Sequence, residues 1–92
     1  MIQLQPVEKK LKGYRLAEHV ARQIADEHGL TLEQVRHKTR TKVYSQCRDE
    51  IAYVLHRSYS FSFQDIGAVL NKDHTTIMAG ERRHGKSLGS GY

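Results

Sequence analysis

A chain of 92 residues supports a single domain with one modest core. Its apolar share of 38% beside 27% charged residues lies within the range of folded soluble proteins, and away from the compositions of disordered chains. Fifteen Lys and Arg against ten Asp and Glu leave a net charge of +5, which favours an anionic partner: nucleic acid, a membrane surface or an acidic protein. A lone cysteine, Cys47, excludes an intrachain disulfide. No run resembles a secretory signal, a bilayer span or an amphipathic membrane anchor, so the expectation is a cytoplasmic protein without a membrane partner.

Residues 1–13 hold the only proline, Pro6, and a basic patch at Lys9, Lys10 and Lys12 without clear periodicity; they are expected to be a flexible basic arm. A helical domain is expected over residues 14–84. Its first helix follows from Leu16, Val20 and Ile24 with Ala17, Ala21 and Ala25 beside them, and Gly29 is placed to end it in a left-handed conformation. Thr31 caps a short second helix, with Gln34 positioned to complete a capping box and Leu32 and Val35 on the buried side. Residues 36–42 carry Arg36, Lys38, Arg40 and Lys42 and no acid, which predicts a basic loop. Cys47, Ile51, Val54 and Leu55 form the stripe of a third helix with Arg48 outside, broken near residues 58–60. Ser62 opens a fourth, with Asp65 three residues on and Phe63, Ile66 and Leu70 as its stripe. After an Asn71-Lys72 turn, Asp73 is a predicted N-cap whose carboxylate accepts backbone N–H groups of a fifth helix running toward Arg83. Residues 85–92, rich in Gly and Ser, are expected to be a disordered tail. The fold class is therefore all-α, with about five helices.

Two short helices joined by a tight turn, the second polar and flanked by arginines, make the pattern of a helix-turn-helix. Helical spacing places Asp73, Ile77, Gly80 and His84 on one face of the second helix and His74, Thr75, Met78 and Arg82 on another. The run Asp65-Ile66-Gly67 through Asp73-His74-Thr75-Thr76-Ile77 resembles the signature of the C-terminal DNA-binding domain of the bacterial replication initiator DnaA. The order of the upstream helices and basic loop agrees, so the resemblance extends over roughly residues 16–83.

That resemblance implies a Trp-repressor-like, DnaA C-terminal-domain-like fold that binds double-stranded DNA. It implies that Asp73, His74 and Thr75 read base edges in the major groove and that Arg40 enters the minor groove. Phosphate contacts would fall to Lys38, Lys42, Arg48, Lys72 and Arg82. Three departures stand out. The turn at Leu70-Asn71-Lys72 is shorter than in many members, Gly80 costs helix propensity while allowing close packing, and His84 replaces an apolar residue, which implies early fraying. No Gly-x-x-x-x-Gly-Lys-Ser/Thr loop for nucleotide occurs, so the expectation is the DNA-binding domain standing alone or as a piece of a longer chain.

Cys47, on an apolar stripe, is expected to be a buried structural thiol. The six histidines lack the paired spacing of zinc modules, so neither metal nor cofactor is expected. Tyr44, Tyr53 and Tyr59 are expected in the core or at its rim, not as stacking platforms. No catalytic motif is recognisable, and the chain is expected not to be an enzyme. The function expected is sequence-specific duplex binding in replication initiation or transcriptional regulation of a bacterium, phage or mobile element. The alternative is a protein-interaction module that binds an initiator or polymerase. RNA comes third, because the A-form major groove does not admit a recognition helix. Besides double-stranded DNA, replication or transcription proteins are the partners considered, and a monomer is the default state, since no heptad seam is present.

Overall fold

The structure, a computed structural model, describes residues 6–37 and 42–88, with side chains from residue 13 onward. Five helices follow one another: α1 (Pro6–Glu27), α2 (Leu32–Arg36), α3 (Lys42–Arg57), α4 (Phe63–Leu70) and α5 (His74–Ser87). There is no strand among the described residues.

The first helix begins well before the first apolar stripe, so residues 6–13 are helical where a flexible arm was expected. Pro6 suits a first helical position, where its missing N–H would have had no partner, and Glu8, Lys9, Lys10, Leu11 and Lys12 all favour helix. Propensity extends the helix where periodicity gave no sign. The buried face runs through Ala17, Val20, Ala21, Ile24 and Ala25, whereas Leu16 is 46% exposed. Leu16 lies about 100° round the helix from Ala17 and therefore falls on the rim of that face.

The end of α1 is fixed by a Schellman arrangement. Leu30 N–H donates to the Ala25 carbonyl at 2.8 Å, Gly29 N–H donates to Asp26 at 2.9 Å, and Gly29 takes φ +73°. Thr31 Oγ1 then accepts from Gln34 N–H at 3.1 Å while Gln34 Oε1 accepts from Thr31 N–H at 2.8 Å, the expected capping box. The chain turns so sharply that Leu32 and Val35 are delivered straight into the core.

There they meet Ile51 and Leu55 of α3, Ile66 and Leu70 of α4 and Ile77 of α5, all fully buried. Cys47 belongs to the same core, and burial pushes its thiol up to about 11. The third helix is central, packing along α5 on one side and α1 on the other. The fifth helix outruns expectation at its far end. It continues past His84, whose ring packs against Tyr53 with centroids 5.1 Å apart, to Ser87, with Leu88 as C-cap. Gly85, expected in the tail, is buried, so packing holds a segment whose composition alone suggests disorder.

Candidate nucleic-acid interface

The fourth helix starts at Ser62, whose hydroxyl accepts from Asp65 N–H at 3.1 Å, and stops at Asn71 in the left-handed region at φ 55°, ψ 47°. Lys72 N–H returns to the Gly67 carbonyl at 2.9 Å. A Cβ on Gly67 would stand 2.5 Å from the Lys72 carbonyl oxygen, so the turn closes this tightly only over glycine. The Ile-Gly pair thus has two jobs: Ile66 enters the core and Gly67 admits the turn.

Beyond the turn, α5 presents Asp73, His74, Thr75 and Thr76 to solvent in succession, followed by Met78, Ala79 and Arg82. Its other side buries Ile77, Gly80, Glu81 and Gly85. Asp73, placed by spacing with Ile77 and Gly80, is exposed instead, and Glu81 takes the buried place. Glu81 stands four residues after Ile77 on the same face, and that spacing was the available signal for it.

Asp73 occupies the N-cap position with extended backbone, yet its carboxylate makes no capping hydrogen bond. It accepts from the Thr75 hydroxyl, and its other oxygen lies 3.3 Å from His74 Nδ1. The Thr75 hydroxyl, first among the causes, holds the Asp73 carboxyl below its ordinary range. Asp73, His74 and Thr75 are therefore brought together as one cluster.

The rear of α5 is pinned by charge. Arg57 Nε donates to Glu81 Oε1 at 2.7 Å, and Arg83 grips Asp49 through Nε and Nη2 at 3.1 and 3.2 Å. A Cβ on Gly80 would collide with the Asp49 carboxylate, which is how closely α5 lies on α3. Asp49 and Glu81 are both 8% exposed, and neither is among the residues expected at the site.

The basic residues divide. Lys38 and Arg40 lie outside the described residues. Lys42 is the exposed first residue of α3, Arg82 is exposed on α5, and Arg48 is half-buried with Nη2 donating to Ser45 Oγ at 3.3 Å. Arg36 is not a loop residue: it ends α2 and turns inward, donating to the Val69 carbonyl at 2.7 Å and to Glu18 Oε2 at 3.1 Å. Lys72 Nζ likewise donates to protein, to the carbonyls of Arg36 at 3.2 Å and His37 at 3.4 Å. Among the described residues no group of three or more His, Cys, Asp or Glu could hold a metal ion, and no helix is long and apolar enough to cross a membrane.

Two helices joined through a closed turn, the second anchored behind and polar in front, constitute a helix-turn-helix within an all-α domain, the class of fold that offers a helix to the DNA groove. Residues 17–83 match the family described as the bacterial dnaA protein helix-turn-helix, and the chain belongs to that family, which binds double-stranded DNA. A relative is the chromosomal replication initiator protein DnaA of Mycoplasma pneumoniae, 28% identical over 80 residues that span 87% of this chain and 17% of the relative. The chain thus corresponds to about a sixth of that initiator's length. No solved structure matches it.

Proposed function

We propose that this chain binds a short, specific duplex site by placing the first turn of α5 in the major groove, and that it does so in replication initiation or transcriptional control. The observation that carries this reading is the run of exposed polar side chains at residues 73–76 on a helix whose opposite side is buried. A helix in a groove needs that division: one side held by the protein, the other offered to base edges.

His74 and Thr75 offer donor and acceptor groups, and Asp73 can accept from a cytosine amino group. Before contact, Asp73 is engaged by the Thr75 hydroxyl, so base recognition exchanges an internal hydrogen bond for intermolecular ones. Arg40 is assigned to the minor groove on the family resemblance. Lys38, Lys42, Arg48 and Arg82 supply phosphate contacts, and such contacts position the protein without reading sequence. The role is that of a binding module, with no chemistry performed on the DNA.

Selection from a random duplex pool, followed by fluorescence anisotropy across a salt series, tests the reading. One enriched motif is expected, with a log–log salt slope near about −4 to −5 for four to six phosphate contacts. Uniform recovery of the pool, or a slope near zero, overturns it.

A further inference from the structure

Two cationic side chains cross the gap between α2 and the helix-turn-helix in opposite directions. Arg36, the last residue of α2, reaches to Val69 in the last turn of α4, where its Nε donates to the carbonyl at 2.7 Å. Lys72, in the turn that follows α4, reaches back to the end of α2, where its Nζ donates to the carbonyls of Arg36 and His37. The last carbonyls of a helix have no partner within it and carry its partial negative charge, so a cation at each end meets a need that the backbone leaves open. Glu18 Oε2, 3.1 Å from Arg36 Nη2, balances one of the two charges.

Lys72 is also where the turn has least freedom. Its N–H is bonded to the Gly67 carbonyl, its own carbonyl lies against Gly67, and Asp73 and His74 follow directly. A shift of Lys72 therefore becomes a shift of the first turn of α5.

We propose that Lys72 and Arg36 are positioning residues that fix the first turn of the recognition helix against the end of α2, and that Lys72 sets specificity without serving as a phosphate contact. The proposal rests on the reading of α5 as the base-reading helix. Its physical consequence separates it from phosphate contact. A lysine on phosphate contributes to every sequence equally and adds about one unit to the salt slope, whereas a lysine that aims a helix acts on discrimination and leaves the slope alone.

The test uses the 92-residue chain and two probes, the duplex that wins the selection and a scrambled duplex of the same composition. In Lys72→Met, which keeps the stem and loses the donors, the preference for the winning duplex is expected to fall about tenfold, on the scale of one charged hydrogen bond, with the salt slope unchanged. Lys72→Arg, which can still donate to both carbonyls, restores the preference. Free of DNA, the amide protons of His37, Lys72 and Ile77, all bonded in this region, should exchange about tenfold faster in Lys72→Met while Leu55 in α3 keeps its rate. A slope reduced by about one unit with preference intact overturns the proposal, as does unchanged exchange at those three amides. Should the wild-type chain prefer no duplex, the proposed function fails, and the exchange data still decide whether Lys72 positions the turn.

Discussion

The two ends of α5 are built on opposite principles. Its first turn is exposed, and there Asp73, His74 and Thr75 interact with one another. From Ile77 onward the helix is held at every turn: by the core, by Gly80 against Asp49, by Glu81 on Arg57, by Arg83 on Asp49 and by His84 on Tyr53. Both arginines are at least half exposed while their carboxylate partners are nearly buried, so each pair contributes on the order of 1 kcal/mol, while a buried Ile or Leu contributes about 1.5–3 kcal/mol. The core supplies the stability and the rear pairs supply the direction of the axis. What the contrast teaches is how a small domain can aim a helix without spending its front face on packing.

The comparison breaks most severely at Gly67. Gly67→Ala places a methyl group against the Lys72 carbonyl, and backbone can yield only by opening the turn. It should destabilise the fold by about 1–3 kcal/mol in thermal melts and depress specific binding with it. Gly80→Ala meets the Asp49 carboxylate, a side chain, and gains about 1 kcal/mol of helix propensity that offsets part of the lost Arg83 contact. Its melt should lie within about 1 kcal/mol of wild type. Equal losses at the two sites would mean that the turn is no more constrained than the helix back.

Next come three substitutions, two in the first turn of α5 and one in α3 at the partner of Glu81. His74→Ala or Thr75→Ala should cost about 1–3 kcal/mol of binding at the preferred duplex, with stability within about 0.5 kcal/mol of wild type. Arg57→Ala should do the reverse, lowering stability by about 1–3 kcal/mol because the buried Glu81 carboxylate loses its partner, and leaving the selected motif as it was. Anisotropy and melting on the same samples check both. A motif that survives His74→Ala and Thr75→Ala unchanged would remove the recognition helix from its assigned role.

Sequence made the local chemistry legible and the long-range chemistry obscure. The Thr31-Gln34 box, the Gly29 stop and the Ser62 cap each depend on residues within a few positions, and all three form as expected. Charge placed Arg36 in a basic loop and the family resemblance implied a phosphate contact for Lys72, yet each donates across more than thirty residues of chain, which no spacing rule could have revealed. The limits of α1 and α5 were misplaced for a related reason: apolar periodicity reports buried faces, and both helices continue where propensity or a few contacts suffice. The motif pointed to residues 73–75, which the structure brings together at the exposed start of α5, but nothing in the sequence pointed to the hydroxyl that occupies Asp73.

That hydroxyl gives the smallest effect and the sharpest test of the front end. Because Thr75 donates to it, the Asp73 carboxyl is held below its ordinary value of 3.8. A depressed carboxyl favours the folded state above the unfolded-state value, and the advantage is lost as pH falls through the lower, folded-state value. Carboxylate NMR titration of the wild type should therefore place Asp73 below 3.8, and Thr75→Val, which keeps the shape and removes the donor, should move it upward. In the same variant the acid limb of the melting curve should flatten slightly because melts at neutral pH fall a little, while melts below the folded-state value stay close to wild type. If Thr75→Val leaves the titration where it was, the backbone N–H groups of the first turn hold Asp73 as a true cap. Asp73 would then belong with the anchored part of α5, and His74 and Thr75 alone would remain available for exchange with bases.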